Sequence, residues 1–249
     1  MAHRLNRQIE AILRETAELK TVIQADKRVD YCAQSPTVPQ RAFLDLRATE
    51  ALYGGSAGGG KSSALLMSAL QHVHVPGYSA ILFRRTYADF SLPGALIPRS
   101  HEWLQGTPAR WNDRDKTWLF PSGASVTFGY LEHEIDKYRY QGAEFQFIGF
   151  DELTQFTETQ YRYLFSRLRR RRTIDVPLKM RSSSNPGGIG HEWVRRRFID
   201  EGTKDRIFVP ARLADNPYID REEYERSLEN LDPVTKQQLL NGEIGRAHV

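Results

Sequence analysis

Cysteine is nearly absent. The 249 residues contain one, Cys32, so no disulfide can close within the chain, and the sequence suits a reducing compartment. Long apolar runs are missing too. None approaches the roughly 20 residues of a membrane span, so no membrane association is expected. The opening Met1-Ala2-His3-Arg4-Leu5 turns charged before a secretory signal could form. Histidine occurs seven times but without metal-ligand spacing. His72 and His74 alternate with Val73 and Val75, with no cysteine or third histidine near, and read as helix-end or strand residues rather than zinc ligands. Internal repeats are lacking. A strong charge of one sign is lacking as well: the net +4 is too mild by itself to indicate nucleic acid.

What is present suits a soluble globular protein able to bury a core, with 40% hydrophobic and 27% charged residues. The length fits one large domain, or one domain with a small appendage. Positive charge is concentrated in two blocks, Arg167 with Arg169, Arg170, Arg171 and Arg172, and Arg195, Arg196 and Arg197. Each block is either a solvated helix face or a set of phosphate contacts.

The densest glycine stretch carries the first chemical signal. From Gly55 through Ser56, Ala57, Gly58, Gly59, Gly60 and Lys61 to Ser62, the chain fits the phosphate-loop pattern G-x-x-x-x-G-K-[ST]. Ala51-Leu52-Tyr53 before it suit a strand end, and Ser63-Ala64-Leu65-Leu66-Met67 after it suit a helix start. Glycines let backbone N–H groups approach phosphate oxygens, and the helix adds unpaired donors and the positive end of its dipole. Lys61 would reach the β- and γ-phosphates of ATP and Ser62 would ligate Mg²⁺. The second signal is Phe145-Gln146-Phe147-Ile148-Gly149-Phe150-Asp151-Glu152, an apolar strand ending in two carboxylates. Asp151 is expected to hold Mg²⁺, and Glu152, pointing elsewhere, to orient or deprotonate the attacking water.

The pattern between these signals alternates helix and strand, which predicts an α/β fold with a central, mostly parallel sheet. Helices are expected over residues 3–27, 39–44, 61–75, 87–105 with a break at Pro93-Gly94, 157–172, 193–201, and in two pieces over 220–241. Strands are expected at 79–83, 178–184 and 206–209, with a β-hairpin of 117–120 and 125–128 at the sheet's edge. Residues 1–35 read as a helix and connector, and 36–249 as the phosphate-loop domain. At the end of the 178–184 strand, Ser184 and Asn185 could sense a γ-phosphate or simply begin a turn through Asn185-Pro186-Gly187-Gly188. Gln40 is either an adenine-reading amide or a surface glutamine.

Four stretches together resemble the ATPase domain of the large terminase subunit of tailed bacteriophages. They are Gly54–Ser62, Phe147–Thr154, Ser182–Pro186, and Asn216-Pro217-Tyr218 followed by Gln238-Leu239-Leu240-Asn241-Gly242. The resemblance implies a phosphate-loop ATPase of the catalytic-glutamate class that drives double-stranded DNA into a procapsid, in the host cytoplasm. It assigns Gln40 to adenine, and Ser184 and Asn185 to coupling hydrolysis with motion. It implies a small terminase subunit, a portal protein and a ring of sister subunits, usually five, as partners, the isolated domain being monomeric. Family members carry an arginine finger either inside the loop, where this chain has Ser56-Ala57-Gly58-Gly59, or before the acidic pair, acting on a neighbour. For the latter Arg139 is the nearest candidate, although strict spacing selects Gln141. The family's nuclease domain would begin about where this chain stops, so no DNA cleavage is expected from it. Two other functions fit the same motifs: a helicase or recombination ATPase on single strands, using Tyr138, Tyr140, Tyr161 or Tyr163 as stacking platforms, and a nucleotide-switched assembly module.

Overall fold

The structure is a computed structural model that describes residues 30–231. Contacts divide the chain after Tyr31, and the fold below is that of the unit from Cys32 onward. The helix expected over 3–27, the Gln238–Gly242 stretch and the second helical piece of 220–241 lie outside the described residues.

Eight strands form one sheet in the order β3-β4-β5-β2-β6-β7-β1-β8. They are β1 Glu50–Gly55, β2 Ser79–Arg84, β3 Arg110–Asn112, β4 Thr117–Leu119, β5 Ser125–Tyr130, β6 Phe147–Asp151, β7 Lys179–Ser184 and β8 Arg206–Ala211. The six from β5 to β8 pair in parallel, and β3 and β4 add antiparallel at one end. Burial on both faces explains the unbroken apolar runs of β2 and β6. Residues of β1 alternate between the two cores. Ala51 and Tyr53 pack with Phe43 and Ala64 of α1 (Val38–Asp45) and α2 (Lys61–Leu70). Leu52 faces the opposite side, with Ile81, Ile148, Phe150 and Met180 against Tyr161 and Leu164 of α5 (Glu158–Phe165) and Trp193 and Val194 of α6 (His191–Arg195).

Most expected elements are present, with instructive differences. The 87–105 helix is two, α3 Tyr87–Ser91 and α4 Leu96–Leu104, with Gly94 at φ 76° between them. The hairpin exists, but its second strand β5 is interior, since it pairs in parallel with β2, and the true edge is the unanticipated β3. Helix α2 stops at Leu70, and tighter turns such as Val73 N–H to Leu70 C=O carry the chain onward. Helix α5 ends at Phe165, seven residues short of the expected 172. Leu168 is drawn into a parallel bridge with Phe145, and Arg169 N–H donates to Phe145 C=O. The arginine block therefore runs along a sheet-side segment rather than a helix end. After α6 the helix widens into a π-turn over Arg196–Asp200, and α7 is Arg221–Ser227.

Several charged groups are structural. Arg181 is fully buried; it donates to Thr49 C=O and Leu46 C=O, each at 3.0 Å, and burial lowers its pKa to about 10. Arg197, from the second arginine block, makes a two-pronged pair with buried Glu50 at 2.8 and 2.9 Å, and the Tyr161 hydroxyl donates to the same carboxylate. That fastens the π-turn to the start of β1. Lys179, buried at the start of β7, donates to Leu44 C=O and Gln71 Oε1.

Candidate functional site

The sheet order places β7 between β1, which feeds the phosphate loop, and β6, which ends in the two acids. All three are parallel, so their C-terminal ends open on one edge, the usual ligand side of such sheets.

The loop between β1 and α2 is shaped by contacts that a side chain would block. Gly55 has φ 141°, and a Cβ there would lie 2.3 Å from Ala211 C=O. Gly60, at φ 71°, begins α2 in the left-handed region and sits against the Gln40 amide. Ser56 ties the loop to the end of β8: its hydroxyl donates to Ala211 C=O and accepts from Leu213 N–H at 2.7 Å. Lys61 is buried, and its Nζ donates to Ser56 C=O at 2.6 Å, folded across the loop. Asn216 closes the far side by donating to Gly58 C=O.

Ser62, in the first turn of α2, reaches across to β6, its hydroxyl 3.1 and 3.3 Å from the two oxygens of Asp151. Asp151 is fully buried. It also accepts from Ser183 Oγ at 2.5 Å and makes an ion pair with Arg84, at the end of β2, at 2.7 Å. Glu152 follows in the left-handed region at φ 58°, a conformation that costs a non-glycine residue of order 1 kcal/mol or more and recurs at functional sites. The turn sends its carboxylate away from Asp151's partners and onto Asn185, which donates its backbone N–H at 3.1 Å and its side-chain amide at 2.9 Å. Asn185 Oδ1 is buried without a hydrogen-bond partner.

These charges perturb one another. Burial, then the neighbouring Asp151, raises the Glu152 pKa above the ordinary carboxylate value. Burial lowers the Lys61 pKa, while Glu152 and Asp151 oppose that shift. Such mutually opposed shifts in one cleft mark functional sites more often than surface ion pairs.

Ser184 joins the neighbouring turn. Its hydroxyl accepts from Thr154 N–H at 3.2 Å and lies 3.0 Å from Thr154 Oγ1. Thr154 C=O in turn accepts from Gly190 N–H at 2.7 Å. Glu152 is thereby linked through Asn185, Ser184 and Thr154 to the start of α6.

The structure thus brings Gly55–Ser63, Asp151, Glu152, Ser184 and Asn185 together. Gln40 lines the same cleft but is buried, and its amide is engaged: Nε2 donates to Gly60 C=O at 2.9 Å and Oε1 accepts from Thr37 N–H, capping α1. One N–H of that amide is left for a ligand. Arg139 is apart, half-exposed on a 3₁₀ turn (Glu134–Tyr140), paired with Asp136 and lying over the Tyr130 ring. Sequence reasoning gave no specific role to four contributors. Arg84 and Ser183 carried a usable signal, since both stand at C-terminal strand ends and Ser183 is in register with Asp151. Asn216 lay in a family stretch but had no assigned role. Arg99, in α4, had no signal at all; its guanidinium donates to Ser63 Oγ at 2.9 Å.

The cleft encloses about 270 Å³, lined by the loop with Arg99, Glu152, Asn185, Asn216 and Tyr218. Its donor set fits a nucleotide with Mg²⁺. Ser62 and Asp151 present hydroxyl and carboxylate oxygens side by side. Among the described residues no group of three or more His, Cys, Asp or Glu could hold a metal unaided, and Mg²⁺ commonly takes one carboxylate with phosphates and water. The loop's N–H groups and Lys61 suit the phosphates.

A parallel sheet with one strand between the phosphate-loop strand and the acidic strand defines a P-loop NTPase fold. Residues 52–247 match the family described as terminase large subunit, T4likevirus-type, N-terminal, and the chain belongs to that family. Solved structures agree on the fold. The large terminase of a thermophilic bacteriophage superposes at TM-score 0.67 with 15% identity, over 84% of this chain and 53% of that one; the same protein has been solved with ADP and with ATP-γ-S. The large terminase of bacteriophage HK97 gives 0.60 at 10% identity, over 88% and 50%. The ATPase domain of the Thermus phage P74-26 large terminase gives 0.54 at 14%, over 84% and 94%. The chain therefore spans about half the length of the full terminases it matches. No curated protein matches it.

Proposed function

We propose that this chain binds ATP with Mg²⁺ in the β1–β7–β6 cleft, hydrolyses it, and so drives double-stranded DNA into a viral procapsid. One observation carries the reading: Glu152 is partly buried beside the phosphate loop, turned from Asp151, and held on both oxygens by Asn185. A carboxylate so placed, with a raised pKa, is suited to take a proton from water attacking the terminal phosphate. Lys61 and the loop N–H groups hold the phosphates, while Ser62 and Asp151 hold the cation. A cation held there would supply positive charge that offsets the charge of the phosphates during hydrolysis. Loss of the terminal phosphate releases Glu152 and Asn185, and Ser184 and Thr154 pass the change to α6. The ADP and ATP-γ-S complexes of the thermophilic phage terminase support nucleotide binding here.

The partners that follow are duplex DNA, a portal protein, a small terminase subunit and sister copies in a ring, in the host cytoplasm. A single-strand motor loses one of its four stacking platforms, because Tyr161 is fully buried, while Tyr138 is exposed. Phosphate release with and without duplex DNA tests the reading. Glu152→Gln should keep ATP-γ-S binding and lose turnover by about 10²-fold or more, and Lys61→Ala should lose both. Turnover that survives Glu152→Gln would refute the assigned base.

A further inference from the structure

The phosphate loop carries no arginine, yet one stands over it. Arg99 projects from α4, and its guanidinium donates to the Ser63 hydroxyl, one residue beyond Ser62, at 2.9 Å. It lines the same cleft as Lys61 and Glu152. Three other arginines set into the fold make a useful contrast. Arg84 is paired with Asp151 and Arg197 with Glu50, while Arg181, buried away from the cleft, donates to backbone carbonyls and leaves its Nε without an acceptor. Among the described residues Arg99 forms no ion pair, and its one hydrogen-bond acceptor is a neutral hydroxyl. A partly desolvated cation held this way beside a phosphate cradle lacks an anion, and a planar guanidinium matches phosphate oxygens better than any other side chain. Burial lowers its pKa, with Asp151 and then Glu102 of its own helix opposing, so it already feels the acidic strand end although neither carboxylate pairs with it. The fold explains how it arrives. The break at Gly94, whose surroundings are open, lets α4 restart with Arg99 facing the loop.

We propose that Arg99 is a catalytic residue acting in cis: it leaves Ser63 for the terminal phosphate of the bound triphosphate and neutralises charge there during hydrolysis. This rests on the hydrolysis reading above and makes the charge set complete within one chain, with no arginine borrowed from a neighbour.

Three measurements on the full chain test it. Arg99→Ala should lower turnover by about 10²-fold or more and weaken ATP-γ-S binding roughly tenfold, while ADP binding changes less than about twofold. Arg99→Lys, which retains charge but not the planar fork, should bind ATP-γ-S nearly as wild type and recover only part of the rate; it also serves if the alanine variant fails to fold. Mixing Arg99→Ala with Glu152→Gln chains should restore nothing, because neither chain has a complete site. Restored turnover on mixing, or equal losses for ADP and ATP-γ-S, would overturn the proposal. Lys61→Ala separates the two readings. If it binds ATP-γ-S like wild type, the nucleotide site itself is misassigned; if it does not bind while Arg99→Ala is unaltered, only the role of Arg99 fails.

Discussion

Asn185 grips Glu152 on both carboxylate oxygens, with its backbone N–H on one and its side-chain amide on the other. The side-chain bond aims the base and also favours its ionised form. Asn185→Ala should therefore lower turnover by about tenfold with little change in nucleotide affinity, since the backbone bond survives. The pH profile should move with it. Glu152 must be ionised to act, so the rate falls as pH falls through its pKa, which burial and then Asp151 already raise. Removing a donor raises it further, and the acidic limb of kcat against pH should shift upward in Asn185→Ala. An unmoved limb would argue that another group sets it.

The same residue makes a prediction about stability. With a folded pKa above its unfolded value, Glu152 favours the fold fully below the unfolded pKa, and that contribution is lost as pH rises through the folded one. At neutral pH the wild-type fold bears a partly buried charge. Glu152→Gln removes the charge at similar shape, so the nucleotide-free variant should melt a few degrees higher than wild type near pH 7, with the gap narrowing toward pH 4. Activity and stability would then change in opposite directions at one position, as expected where a fold holds a strained, charged catalytic group.

How much of this was legible beforehand follows from physical locality. The loop from Gly55 to Ser62 and the Asp151-Glu152 strand end are local patterns, because phosphate binding and metal binding each need neighbouring residues on one turn. The parallel core was readable from apolar runs in β2 and β6. Chain reversals decided by distant partners were not readable: the helix through 157–172 fails at Phe165 because Leu168 finds Phe145 across the fold. The arginines show the limit most clearly. Arg197, in a block that could have met DNA, serves Glu50 inside the fold. Arg99, which no motif flags, reaches the loop only because a helix break turns it there.

That use of Arg197 is open to a direct check. The pair is partly shielded from solvent, and Glu50 would stay buried without its cation. Arg197→Met should cost about 2–4 kcal/mol in chemical unfolding, with ATP-γ-S affinity of the folded protein unchanged. Replacing both members, Glu50→Gln with Arg197→Met, should recover a good part of that loss, because no uncompensated charge remains. If Arg197→Met unfolds like wild type, the pair contributes nothing and its arginine is free for another purpose.

Lys179 offers a test of the buried polar layer between α1, α2 and β7 that does not involve catalysis. Its ammonium donates only to neutral acceptors, Leu44 C=O and Gln71 Oε1, and burial, then nearby Arg181, lowers its pKa to about 8. Below that value lysine is charged in both folded and unfolded chains, and the fold bears the full cost of holding the charge. Between about 8 and the unfolded value near 10.5, the unfolded chain binds the extra proton, so stability rises with pH. The gain should be about 1–2 kcal/mol after allowance for partial solvent screening. Tyrosines titrate in the same range, so the informative quantity is the difference between wild type and Lys179→Met in denaturant unfolding at pH 7.5 and pH 10. Wild type should gain on the variant across that interval. A constant difference would mean that the ammonium is solvated in the fold, and the buried layer would then have to admit water at the base of β7.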